Sequence, residues 1–160
     1  MLRRLALTSK RARRLPDGKS PRPADVAEGS RLRRGAGVIL IVDDTSDTCE
    51  IYSLYLSGRG FKVPTARDGL IGLDAARRLQ PDVIVMDLSM PGLDGFEATR
   101  RLKADPRTSH IPVLILTAHP LQAVKGGVLE AADDFLTKPC LPEDLEQHVK
   151  RLLVRRRSGH

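Results

Sequence analysis

From Val38 onward the chain alternates short, largely apolar runs with longer amphipathic stretches, and this alternation restricts the fold more than any other feature. "VILIVDD" begins the series and is followed by "SDTCEIYSLYLSGRG". Then come "FKVPTA", "DGLIGLDAARRLQ", "DVIVMD", "GFEATRRLKAD", "IPVLILT", "PLQAVKGGVLEA", "DDFLTK" and "PEDLEQHVKRLLVRRR". Every first member of a pair has strand length, and "VILIV", "VIVM" and "VLIL" are continuously apolar, as strands covered on both faces are; the second members read as helices. Ser46 is placed to N-cap the first helix, Gly58 or Gly60 to end it, and Pro81 to stop the second. Five strands alternating with five helices predict an α/β fold, a doubly wound (βα)5 unit with helices on both faces of a parallel sheet. Right-handed crossovers bring the C-terminal end of every strand to one edge.

The core of such a sheet must be aliphatic here, because aromatic residues make up 3% of the chain and Trp is absent. A length of 160 residues suits one well-packed domain and leaves little for a second. The longest apolar run, Val38 to Val42, falls far short of the roughly 20 residues of a membrane span. The Arg-rich N-terminus has no continuous apolar segment of the secretory kind, so a cytoplasmic protein is expected. Cys49 and Cys140 are too few for a zinc site and read as free thiols. The formal charge of +7 is concentrated at one end: residues 1–36 hold 11 Lys and Arg against 3 Asp and Glu, which leaves the remainder at −1. Residues 1–36 therefore read as a disordered basic tail, 37–157 as the folded domain and 158–160 as a short C-terminal tail. The basic tail has the charge to hold nucleic acid or an acidic membrane through salt-sensitive attraction to phosphates. A solvated extension, or an upstream start codon, is the plainer reading.

Open α/β sheets bind ligands where their strands end. At that edge the first strand presents Asp43 and Asp44, the third Asp87, the fourth Thr117 and the fifth Lys138. A carboxylate at the rim of an apolar core costs free energy unless something nearby stabilises it. Clustered carboxylates repel one another, and Mg2+, which takes oxygen ligands, relieves that repulsion. A carboxylate can also be the nucleophile of phosphoryl transfer, giving an aspartyl phosphate. A metal, an ammonium and a hydroxyl then stabilise charge on the equatorial oxygens of the group in flight, and Lys138 and Thr117 meet two of those demands. Any one of the acids alone is an ordinary strand-end carboxylate; the combination at matching positions is what points to chemistry.

The run Asp87-Leu88-Ser89-Met90-Pro91-Gly92-Leu93-Asp94-Gly95 has the form D-x-x-M-P-x-x-D-G. Taken with Asp43-Asp44, Thr117-Ala118 and Lys138-Pro139, it makes residues 37–157 resemble the response-regulator receiver domain of two-component signalling. The resemblance implies a flavodoxin-like sheet of five parallel strands in the order 2-1-3-4-5. It implies that Asp87 is the phosphoacceptor and that Asp44, Asp87 and the Ser89 backbone carbonyl ligate Mg2+, with Asp43 assisting through water. Thr117 and Lys138 would contact the phosphoryl oxygens, the Lys138-Pro139 peptide would be cis, as Pro permits, and Phe135 would be the switch aromatic. The donor would be a histidine kinase or a histidine phosphotransfer protein. No enzymatic activity is implied beyond self-catalysed phosphotransfer and slow autodephosphorylation.

Negative charge added beside Thr117 is expected to draw its hydroxyl inward and give Phe135 room to turn, changing the face formed by the fourth helix, fifth strand and fifth helix. Gly126-Gly127 weakens the fourth helix by roughly 1 kcal/mol per Gly relative to Ala, which suits either a soft switch element or a merely broken helix. His119 is placed to shape access to the phosphate and Ser89 to influence attack by water, while His110 and His148 read as surface residues. Few residues follow the last helix, so the expected output is another protein: a stand-alone receiver, monomeric or dimerising on phosphorylation, that relays phosphate or binds a target. A nucleic-acid-associated regulator using the basic tail is the second reading. A haloacid-dehalogenase-like phosphatase needs an acid two residues after its nucleophile, where this chain has Ser89. An FMN binder shares the fold class, but there are few aromatic residues to stack a flavin.

Overall fold

Ile39, Leu40, Ile41 and Val42 are all fully buried, as successive residues of a strand can be only when both of its faces are covered. They belong to β1 (Gly37–Val42), an interior strand of a parallel sheet. The computed structural model describes residues 35–120 and 127–159. After β1 come α1 (Ser46–Gly58), β2 (Phe61–Lys62), β3 (Thr65–Ala66), α2 (Gly69–Leu79), β4 (Val83–Asp87) and α3 (Gly95–Ala104). The series continues with β5 (Val113–Thr117), α4 (Val128–Ala131), β6 (Asp134–Thr137) and α5 (Pro142–Ser158). The expected basic tail up to residue 34, and Gly126 with the first part of the expected fourth helix, lie outside the described residues. No helix among the described residues is long and apolar enough to cross a membrane.

The strands pair in the order β2-β1-β4-β5-β6, all parallel, with β3 also against β1. The stretch "FKVPTA", expected as one strand, is two. Phe61 and Lys62 pair with Gly37 and Val38, and Thr65 and Ala66 pair with Ile41 and Val42. Pro64 separates them because it has no N–H for the ladder, although its carbonyl still accepts from Ile41 N at 3.0 Å. With β2 and β3 counted as one position, this is the expected flavodoxin-like order.

Side chains alternate between the two sides of the sheet and give two aliphatic cores. Leu40, Val42, Ile84, Met86, Val113 and Ile115 pack with Leu73 and Ala76 of α2 and with Ala98 and Leu102 of α3. Ile39, Ile41, Val83, Val85, Leu114 and Leu116 pack with Tyr52 and Leu56 of α1 and with Leu145, Val149 and Leu152 of α5. Asp68 and Asp94 cap α2 and α3, accepting from Ile71 N and Glu97 N at 2.8 Å each.

Ser46 is the first helical residue of α1 and not its N-cap; Thr45 holds that position, and no side chain caps the helix. The polar groups of this loop are engaged elsewhere: Thr45 N donates to Asp43 Oδ1 at 2.8 Å, and Ser46 Oγ accepts from Arg67 at 3.2 Å. His148 is half-buried and not a surface residue, with Nδ1 2.8 Å from Asp134 Oδ2. His110 is exposed, and both cysteines are free thiols.

Candidate functional site

Strand order reverses at β1: the chain leaves it for β2 and β3 on one side and returns to β4 on the other. A crevice opens at such a point beyond the strand ends. Asp43 and Asp44 follow β1 there, and Asp87 ends β4. One carboxylate oxygen from each of the three acids lies within 4.8 Å of the other two. Asp43 is 1% exposed and Asp87 4%, while Asp44 is half-buried.

Lys138, the first residue after β6, reaches back across the end of β5 into this cluster. Its Nζ lies 2.7 Å from Asp43 Oδ2 and 3.6 Å from Asp87 Oδ1. Its own N–H donates to Thr117 O at 2.7 Å, which ties it to the end of β5, and the Lys138-Pro139 peptide is cis. Thr117 is fully buried, and its Oγ1 accepts from His119 N at 3.0 Å.

The carboxyl of Asp87 is held above the usual carboxylate range, first by burial and then by the charges of Asp43 and Asp44. Lys138 and the Ser89 N–H oppose the rise. Burial works to lower the ammonium of Lys138, but its hydrogen bond to Asp43 and the charges of Asp87 and Asp43 outweigh that and keep it above its ordinary value. Asp43 has both oxygens engaged, by Thr45 N and Lys138. Asp87 Oδ1 accepts from Ser89 N at 3.3 Å, and Oδ2 has no hydrogen bond among the described residues.

The other residues of the D-x-x-M-P-x-x-D-G run build the loop around Asp87. Met90 is buried in the core beneath it, Gly92 turns the chain at φ +77°, and Asp94 caps α3. Gly95 approaches so closely that a Cβ there would run into the carbonyl oxygen and carbon of Asp87 and the Cα of Leu88. At the rim, Ser89 Oγ and His119 Nδ1 are 3.4 Å apart.

Phe135 lies on β6 opposite Ile115 of β5, and Thr137 lies opposite Thr117. Paired residues project on the same face and that face recurs every second residue, so Phe135 and Thr117 share the α2–α3 side of the sheet. Phe135 is half-buried against the core there. The structure therefore brings together Asp43, Asp44, Asp87 and Lys138, ties Thr117 to Lys138 through the backbone, and sets Phe135 one strand position away.

Sequence reasoning missed Arg67. Its Nε donates to Asp44 O at 3.3 Å and its Nη2 to Ser46 Oγ at 3.2 Å, clamping the acid-bearing loop. It follows β3 and so lies at the same sheet edge, and a reading of all five expected strand ends would have included it. Two further contacts were also missed: Cys49 Sγ donates to Asp43 O at 3.3 Å, and Tyr52 OH to Cys140 O at 3.0 Å. Neither carries a motif: the first is a local contact between the first turn of α1 and the loop before it, and the second joins residues that only the fold makes neighbours.

A doubly wound sheet with three acids and a lysine at its switch point is a form that receiver-type signalling domains take. Residues 39–150 match the family model described as the response regulator receiver domain, and the chain belongs to that family. It is 43% identical over 118 residues to the DNA-binding dual master transcriptional regulator RpaA of Synechocystis sp., a match that covers 73% of this chain and 49% of that one. It thus spans about half the length of that relative. It is 41% identical over 117 residues to protein PilH of Pseudomonas aeruginosa, covering 72% of this chain and 97% of PilH. Among solved structures, the receiver domain of the sensor histidine kinase PA1611 from Pseudomonas aeruginosa, with a magnesium ion coordinated in the active site cleft, aligns at TM-score 0.68 and 31% identity. That alignment covers 73% of this chain and 97% of the receiver domain.

Proposed function

We propose that Asp87 accepts a phosphoryl group from a phosphohistidine of a histidine kinase or histidine phosphotransfer protein in a Mg2+-dependent reaction, and that the chain signals through the change. The observation that carries this reading is Lys138 Nζ standing 2.7 Å from Asp43 and 3.6 Å from Asp87 among three carboxylates at the switch point. The donor set suits a hard divalent cation, since all the donors are oxygens and they carry more negative charge than Lys138 balances. Asp44, Asp87 and the Ser89 backbone carbonyl would hold Mg2+, with Asp43, whose own oxygens are engaged, assisting through water. Bound there, Mg2+ supplies positive charge to the oxygens of the transferring group.

Asp87 Oδ2 attacks phosphorus; the new O–P bond forms as the P–N bond breaks, and the imidazole takes up a proton as it leaves. The Lys138 ammonium meets one phosphoryl oxygen and the Thr117 hydroxyl donates to another. Ser89 and His119 stand at the rim where water must enter to hydrolyse the product. Thr117 moving inward releases Phe135, and the face built from α4, β6 and α5 changes for a downstream protein or a second copy to read. The match spans 97% of PilH, which supports reading the receiver as able to act as a stand-alone regulator.

The test is incubation with acetyl phosphate and Mg2+, followed by mass spectrometry of the peptides. The expected result is one phosphoryl group on Asp87, lost on adding excess chelator before the donor and absent from Asp87→Asn. An unlabelled wild type, or an Asp87→Asn variant labelled equally, overturns the reading.

A further inference from the structure

The near-neutral balance of the folded residues conceals a segregation of charge along α5. Its acids, Glu143, Asp144 and Glu146, all lie in the N-terminal part; from Gln147 to Ser158 there is no acid, and Lys150, Arg151, Arg155, Arg156 and Arg157 are all cationic. Attraction to the negative end of the helix accounts for cations in the last turn, but not for Lys150 and Arg151 before it. Arg156 is held by Asp82 Oδ1 at 3.0 Å and Pro81 O at 3.1 Å, and Lys150 by Glu146 at 2.6 Å. The side chains of Arg151, Arg155 and Arg157 are exposed and have no ion pair or hydrogen bond among the described residues.

At 3.6 residues per turn, Gln147, Val154 and Ser158 form a neutral spine, with Arg151 and Arg155 on one flank and Lys150 and Arg157 on the other. All seven are exposed, Val154 at 62%. The apolar side of the helix, Leu145, Val149, Leu152 and Leu153, is buried against the sheet. The Arg156 contacts with Pro81 and Asp82, which precede β4, put the basic end of α5 at the sheet edge opposite Asp43, Asp44 and Asp87.

We propose that this face of α5 binds the phosphate backbone of double-stranded nucleic acid. A duplex presents two rows of phosphates flanking a groove that admits a helix, and two rows of cations flanking a neutral spine are the complement of that arrangement. The guanidinium fork matches phosphate oxygens bidentately. An anionic bilayer fits less well, because a surface-bound helix inserts a broad apolar face and α5 has buried its own, leaving Val154 alone outside. This inference stands independently of phosphoryl transfer at Asp87.

Fluorescence anisotropy of a short labelled duplex with the full-length protein, repeated over a series of salt concentrations, tests it. Residues 1–36 are basic too, so full-length chains are compared with one another. The R151Q/R155Q/R157Q variant is expected to bind at least about tenfold more weakly at low salt and to flatten the slope of log K against log salt by about 2 to 3. Val154→Glu, which puts an acid in the spine and removes no arginine, is also expected to weaken binding, while Arg78→Gln on α2 leaves it unchanged. Melting temperatures matching wild type ensure that folded proteins are compared. Unchanged affinity and slope in the triple variant overturn the proposal, as does a wild type that binds phosphatidylserine-containing vesicles but not the duplex, or one that binds neither.

Discussion

Asp87 occupies a place where its own charge is unwelcome. Burial and two neighbouring acids raise its pKa, so its ionised form destabilises the metal-free fold. The sign follows directly: the penalty is fully present above the raised folded value and disappears as pH falls through it toward about 3.9, the unfolded value. Asp87→Asn is therefore expected to melt above wild type at neutral pH without Mg2+, and the gap should close on acidification; thermal melts across that range check this, and a lower-melting variant would contradict it. Gly95 makes the opposite case, a residue with no functional group on which the site depends. Gly95→Ala must push a methyl into the backbone of Asp87 and Leu88, and the expected cost exceeds about 2 kcal/mol in urea unfolding, with slower uptake of phosphoryl groups. The acids, Thr117 and Lys138 were legible in the sequence because each ends a strand or lies within two residues of its end. The close approach at Gly95 was not, since it depends on how the loop folds back on itself.

Between elements, α1 is joined to α5 and to the loop before it by polar contacts that no local pattern announces. Tyr52 OH donates to Cys140 O at 3.0 Å, and Glu146 of α5 takes Tyr55 OH at 2.9 Å while pairing with Lys150. Burial, and then the hydrogen bond with Cys140, push the Tyr52 phenol well above its ordinary pKa. Tyr52→Phe removes a hydrogen bond to the segment that follows Lys138 and Pro139. The expected loss is about 1 kcal/mol in a denaturant melt, and an unchanged midpoint would show that the contact contributes nothing. Element type and order were readable from periodicity. Two local details were not: "FKVPTA" divides at Pro64 because a proline cannot complete the ladder, and Ser46 yields the N-cap position to Thr45 because its hydroxyl serves Arg67.

Across the whole molecule, the proposed route from pocket to surface runs along the face that Thr117 and Phe135 share. A phosphoryl group shifts a two-state balance only through its different interactions with the two states, so cutting the route should uncouple the surface while leaving the chemistry intact. With acetyl phosphate and Mg2+, hydrogen exchange over residues 128–137 is expected to change in wild type and not in Phe135→Ala, although Asp87 is labelled in both. A wild-type-sized change in the variant would exclude Phe135 as the link. Pattern alone settled the alternation of strands and helices, and with it the sheet edge that carries the three acids, Thr117 and Lys138, because strand burial and crossover handedness can be read from it. It took the folded chain to set Lys138 nearer Asp43 than Asp87, Arg67 across the acid loop, and the basic end of α5 opposite the pocket. Each of these joins residues far apart in the chain, and their separation in space is set by packing and not by any local preference.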